Sequence, residues 1–270
     1  MEFNLFSLPD IKVNEYLTSA TEKKESGQKR EFYDHFLASV QSLEYIEHTD
    51  KPEDDDIIGK KVYLPPKREG IKKTLIFDLD ETLIHCNENP SAPCDVKVPI
   101  KFTGGEVIEA NICIRPFAKE VIEELSQYFE IVVFTASHSC YANIVLNILD
   151  PENKYISYRL FREHCHKTKE GIFVKDLRVI SNRNLKDIVI VDNYFYSYGF
   201  QMLNGVPIIP FYNNTDDEEL RKLSEFLIKI SGVEDIRAAI NAFFFVSLFK
   251  KYYRKPEVLA KMIIMSREKI

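Results

Sequence analysis

No apolar run in this chain approaches the roughly 20 residues that a membrane-spanning helix needs. The longest cluster, Ala242 to Leu248, is far shorter, so no transmembrane segment is expected. An overall basic bias is also lacking. With a net charge of −6, the chain offers no general attraction for nucleic acid, and none is expected as a partner. Cysteine is sparse. The five residues Cys86, Cys94, Cys113, Cys140 and Cys165 are odd in number and lack short metal-type spacing. The amino terminus lacks the basic-then-apolar layout of a secretory signal. A reducing, intracellular setting, nucleus or cytoplasm, is the expectation. Internal repeats and low-complexity tracts are missing too. What remains is ordinary in composition, 45% hydrophobic and 29% charged over 270 residues, enough for one substantial domain with additions.

The stretch Lys73 to Thr82 organises that domain. Thr74-Leu75-Ile76-Phe77 is an unbroken apolar or β-branched run, as expected of a strand buried on both faces of a parallel sheet. It stops at Asp78-Leu79-Asp80-Glu81-Thr82. The pattern recurs twice: Ile131 to Phe134 ends at Thr135, and Ile188 to Val191 ends at Asp192-Asn193. Ligands of open α/β sheets bind beyond the carboxyl ends of the strands, so these polar ends are expected to share one crevice. Two carboxylates one residue apart suit Mg²⁺, a hard cation that takes one or two carboxylates and completes its shell with water and phosphate. Asp78 is the candidate nucleophile, since carboxylates form aspartyl-phosphate intermediates. Asp80 is the candidate general acid and base. Lys175, in Val-Lys-Asp-Leu, is the candidate cation for the phosphate charge.

These segments carry a resemblance. Asp-Leu-Asp-Glu-Thr-Leu-Ile-His (78 to 85), Phe-Thr-Ala-Ser (134 to 137), Arg-Leu-Phe-Arg-Glu-His-Cys (159 to 165), Val-Lys-Asp-Leu (174 to 177) and Val-Asp-Asn (191 to 193) stand in order. Together they resemble the small C-terminal-domain phosphatases, the NLI-interacting-factor-like branch of the haloacid dehalogenase superfamily, over roughly residues 70 to 230. The resemblance implies Asp78 as nucleophile and Asp80 as acid and base. It implies Mg²⁺ held by Asp78, the Asp80 backbone carbonyl and Asn193. Thr135 and Lys175 would bind phosphate, Thr82 would orient the nucleophile loop, and Asp192 would support them from behind. The implied activity is that of a protein serine/threonine phosphatase acting on a phosphorylated protein. A catalytically idle scaffold on the same domain and a small-molecule phosphatase are the alternatives.

The expected fold is a haloacid-dehalogenase-like doubly wound parallel α/β sheet, with helical extensions at residues 1–69 and 231–270 around a domain at 70–230. Strands near Asp95 to Phe102 and Val107 to Ile114 read as a small inserted β-hairpin joined at Gly104-Gly105. A helix opens at Pro116 and runs to about Phe129, with Phe117, Val121, Ile122 and Leu125 inward. Another spans Ser139 to Leu149, burying Ile144, Val145 and Ile148. Thr215 and Glu218 read as a capping box for a helix ending near Ile230. Neither interval after the first strand has room for a cap domain, so the crevice is expected to be open. That favours a protein substrate over a metabolite.

Other features read more plainly. Phe32, Phe36, Val40 and Leu43 form an amphipathic stripe that docks on the domain or binds a partner protein. Asp54-Asp55-Asp56 reads as a solvated linker. Lys250 to Lys255 mixes bases with aromatics; it reads as the usual solvated end of a helix, with a surface for single-stranded nucleic acid or anionic lipid as the alternative, and the C-terminal helices are, like the N-terminal stripe, a candidate contact for a protein partner. His164-Cys165-His166 lacks a second ligand pair for zinc. His85 reads as a packing or supporting residue, Arg115 and Arg162 as buried ion-pair partners, and Arg178 as a possible substrate contact. Three positions depart from the resemblance: Glu88 stands where an aromatic is expected, His138 where leucine is common, and Tyr194 where a small residue is usual. The resemblance includes members that dephosphorylate Ser-Pro repeats of the RNA polymerase II C-terminal domain through an apolar, aromatic-containing pocket for proline, so that domain is a candidate substrate; a carboxylate in such a pocket would cost desolvation and repel acidic phosphopeptides.

Overall fold

The computed structural model describes Ile46, His48, Thr49, 51–87, 93–101, Gly105 and 107–244. The N-terminal stripe, Glu88, and the basic run at 250–255 lie outside these residues. Within them the elements are α1 (Asp54–Ile58), β1 (Lys73–Phe77), β2 (Ile84–Asn87), β3 (Val96–Lys101), β4 (Val107–Ile114), α2 (Ala118–Leu125) and β5 (Phe129–Phe134). Next come α3 (Ser139–Leu149), β6 (Ile156–Leu160), β7 (His166–Lys167), β8 (Phe173–Val174), β9 (Ile188–Asp192), β10 (Gly205–Pro207), α4 (Glu219–Ile230) and α5 (Ile236–Phe244).

Five strands form a parallel sheet in the order β10-β9-β1-β5-β6. Every residue of β1, β5 and β9 is buried, which is why these strands read as unbroken apolar runs and not as alternating ones. From β1 the chain builds outward to β5 and β6, then returns to the other side for β9 and β10. The order therefore reverses between β1 and β9, and the crevice of a doubly wound sheet opens at that reversal. Phe77 lies level with Val191 on β9 and with Val133 on β5, so the residues that follow all three leave the sheet at one height.

The doubly wound parallel sheet agrees with the expected fold, and several local readings are corrected. The expected antiparallel pair β3–β4 is present, and a third strand, β2, joins it to make an antiparallel sheet in the order β2-β4-β3. Its third member, Ile84-His85-Cys86-Asn87, has too little apolar alternation to announce itself, and its pairing with Asn111 to Ile114 makes it a strand. Helix α2 stops at Leu125. Phe117 precedes it at φ 64 and is 39% exposed, because the turn from Pro116 swings that ring outward. In α3 the buried face is Ala142, Val145, Leu146 and Leu149, with Ile144 and Ile148 only half-buried.

The Thr215 capping box is not formed. Instead Asp217 accepts from the Glu219 amide at 3.0 Å while holding the buried Arg115 guanidinium through two bonds of 2.8 and 2.9 Å. The buried ion pair expected of Arg115 is therefore present, and it fastens α4 to the start of α2. Asp54 to Asp56 form the first turn of α1, not a linker, since Ile57 behind them is 1% exposed. Helix α5 joins the same core: Ile236 and Ile240 are fully buried, and the helix packs on β9 and β10.

Candidate active site

Asp78 directly follows β1, with its amide donating to the Val191 carbonyl at 2.9 Å. Asp192 is the last residue of β9 and is fully buried. Lys175 follows the two-residue strand β8, its amide bonded to the Ser197 carbonyl at 2.6 Å. The Lys175 ammonium donates to Asp78 Oδ1 and, at 2.6 Å, to Asp192 Oδ2. Thr82 Oγ donates to the other Asp78 oxygen at 3.2 Å. Two buried carboxylates thus share one buried ammonium. Burial pushes the Asp78 carboxyl up to about 8; Lys175 opposes the rise, and the nearby Asp192 and Asp80 charges add to it. Burial acts to lower the Lys175 ammonium, and Asp192 and Asp78 outweigh it and raise it above the usual lysine range.

A second group adjoins the first. After Asp78 the chain turns sharply: Glu81 sits in the left-handed region at φ 58, and its amide donates to the Ile84 carbonyl at 2.7 Å. The turn presents Asp80 to the start of α3. There its carboxylate accepts from Thr135 Oγ at 3.3 Å, Ser137 Oγ at 2.7 Å and the Tyr141 hydroxyl at 2.8 Å. The Ser137 amide donates back to Thr135 Oγ at 3.0 Å. The sequence reading gave Ser137 and Tyr141 no role. Ser137 stands in the bend before α3 and Tyr141 in its first turn, so no local periodicity links the two hydroxyls.

Asn193 is buried immediately after Asp192. Among the described residues no three His, Cys, Asp or Glu side chains form a cluster able to hold a metal ion by themselves. The donor set nevertheless suits Mg²⁺: its oxygens are hard, and such sites leave room for water and phosphate. Tyr194 lines the same region. Its amide donates to Asp192 Oδ1 at 2.8 Å, and its phenol is pushed up to about 12 by burial, then by Glu81, Tyr212, Asp192 and Asp78.

The remaining sequence candidates fall elsewhere. Arg178 makes no approach to the site; it is held by Asp176 at 2.6 Å, by Asp54 at 3.4 Å and by the Pro52 carbonyl at 2.8 Å. Among the described residues Arg162 makes no ion pair. It donates to the Ala136 carbonyl at 2.5 Å, meets His138 Nε2 at 2.9 Å and covers the Phe173 ring. His164 accepts from the Phe161 amide through Nδ1, and His166 packs edge-on to Phe200. His85 contacts Glu81 at 3.1 Å and the Tyr212 ring.

Residues 73–237 match the model of the NLI interacting factor-like phosphatase family. The chain is 42% identical over 181 residues to a CTD small phosphatase-like protein 2 of Dictyostelium discoideum, covering 67% of this chain and 31% of that one. A probable C-terminal domain small phosphatase of the same organism is 40% identical, covering 71% of this chain and 61% of its own length. The human carboxy-terminal domain RNA polymerase II polypeptide A small phosphatase 1 is 34% identical, covering 66% of this chain and 68% of that one. The chain therefore spans between about a third and about two thirds of the length of these relatives. With the matched region running from β1 into α5 and enclosing every residue of the site described above, this chain belongs to the NLI interacting factor-like phosphatase family.

Proposed function

We propose that this chain is a Mg²⁺-dependent phosphoprotein phosphatase that cleaves serine or threonine phosphate esters through an aspartyl-phosphate on Asp78. The observation that carries this reading is the single Lys175 ammonium bridging Asp78 and Asp192 at the reversal point of the sheet. A carboxylate nucleophile, a fixed cation and a second carboxylate one turn away are the parts that phosphoryl transfer requires.

An Asp78 oxygen attacks phosphorus in line while the bond from phosphorus to the serine or threonine oxygen breaks. Asp80 delivers a proton to that departing alkoxide. Lys175 and the Thr135 hydroxyl stand for the charge on the transferred group. Water then attacks phosphorus, Asp80 takes up its proton, the bond from phosphorus to Asp78 breaks, and inorganic phosphate leaves. Asp78, the Asp80 backbone carbonyl and Asn193 would hold Mg²⁺, which supplies neutralising charge to phosphoryl oxygens when bound. Thr82 keeps the nucleophile turned toward the crevice, and Asp192 keeps the ammonium in place.

The content of the two intervals after β1 supports a protein substrate. The described residues between Thr82 and Thr135 build only the β2-β4-β3 sheet and α2, and those between Thr135 and Lys175 only α3, β6 and the β7–β8 ribbon. Without a cap domain the crevice admits a phosphorylated side chain on a large partner. Glu88, His138 and Tyr194 favour sequences other than acidic, proline-directed repeats, so the RNA polymerase II tail is a less suitable substrate than the human relative's name suggests. An intracellular protein of nucleus or cytoplasm fits the free cysteines.

The test is turnover of a phosphopeptide library and of an aryl phosphate with and without EDTA. Asp78→Asn and chelation should each abolish turnover, and Mg²⁺ should restore the chelated wild type. Turnover that survives both rejects the mechanism.

A further inference from the structure

We propose that Ser137 and Tyr141 are positioning residues that aim the Asp80 carboxylate at the leaving oxygen, making α3 the part of the fold that fixes the proton donor. The inference rests on the phosphatase reading above and extends it to residues with no assigned part in the reaction.

Asp80 lies three residues past the end of β1, on a turn whose backbone is fixed by the left-handed Glu81 and by bridge pairing with Ile84. Fixing the backbone leaves the carboxylate free to rotate about two side-chain torsions. The hydroxyl contacts remove that freedom from both sides. Ser137 holds Oδ2 at 2.7 Å and Tyr141 holds Oδ1 at 2.8 Å, with Thr135 adding a longer contact of 3.3 Å to Oδ2. Tyr141 is itself immobile. It belongs to the first turn of α3, and its neighbours Ala142, Val145 and Leu146 are buried in the core.

The consequence concerns one step. When phosphate passes to Asp78, an alkoxide leaves only if it receives a proton as its bond to phosphorus breaks. A nitrophenolate leaves stably without one. Displacing a catalytic group by about 1 Å can cost on the order of 100-fold. Loosening Asp80 should therefore weaken alkyl ester cleavage far more than aryl ester cleavage.

The experiment compares Tyr141→Phe, Ser137→Ala and the double variant with wild type on a phosphoserine peptide and on para-nitrophenyl phosphate, both with Mg²⁺. In the double variant kcat on the phosphoserine peptide should fall by about 10- to 100-fold, within the range general acid catalysis contributes. The ratio of aryl to alkyl turnover should rise at least about tenfold, with a smaller rise in each single variant and recovery in Ser137→Thr. Inhibition by inorganic phosphate should keep its wild-type constant, which separates a mis-aimed Asp80 from a damaged phosphate site. Equal falls on both substrates, or no fall on the peptide, overturn the proposal. A wild-type chain that hydrolyses neither substrate overturns the parent reading and this one with it, a result distinct from either.

Discussion

Lys175 donates from one ammonium to Asp78 and to Asp192, residues that stand 97 and 17 positions away from it in the chain. All three groups are almost wholly shielded from water, so each depends on the others for its charge. Removing one partner from a buried ionic group leaves an uncompensated charge, at a cost of about 3–5 kcal/mol. Lys175→Met should lower stability by about that amount in urea titrations. Turnover should fall by about 100- to 1000-fold, as when a transition-state donor is lost.

Arg115 and Asp217 form a further buried ion pair. Arg115 also donates to the Thr82 and Ile209 carbonyls, tying the turn beside Asp78 to the strap that precedes α4. Arg115→Met alone should cost about 3–5 kcal/mol. Combining it with Asp217→Leu should cost less than the sum of the single changes, because the double variant leaves no orphaned charge. A double-mutant cycle in urea measures the coupling.

Gly205 opens β10 against the face of a buried ring. A Cβ there would come within 2.0 Å of Tyr198 Cε2. Since Tyr198 is 2% exposed and has little room to retreat, Gly205→Ala should destabilise by about 1–3 kcal/mol, the usual cost of overpacking. The midpoint of urea unfolding should move while its slope stays put.

His166 offers a reading of pH. Burial, with Lys60 adding, lowers its folded-state pKa below the ordinary histidine value of 6.5. Between the two values the unfolded chain binds more protons than the folded one, so stability rises with pH across that window and is lost as pH falls through it. A proton NMR titration should place His166 below 6.5. Lys60→Met should move it back upward, and no movement would show that burial acts alone.

Much of this architecture is legible in the chain because its central strands are buried on both faces. Burial on both faces demands unbroken apolar runs, and those runs locate β1, β5 and β9 together with the polar residues that follow each of them. Asp78, Asp80, Thr135 and Asp192-Asn193 were found in that way. Lys175 was found by its motif, since β8 before it has only two residues and no periodicity to read. The strand β2 escaped notice because its pairing partner, not its own composition, makes it extended.

The sequence by itself determined the kind of sheet, the order of its polar endings and the inventory of oxygens and nitrogens available for chemistry, because hydrophobic period and residue type are local properties. Only the tertiary structure decided which hydroxyls reach Asp80, which carboxylates share Lys175, and that Arg178 is occupied by Asp176 and Asp54. Those outcomes depend on the register of β1 with β9 and on the direction in which α3 leaves β5. Distances of a few ångströms between groups far apart in the chain follow from packing and leave no local trace in composition or spacing.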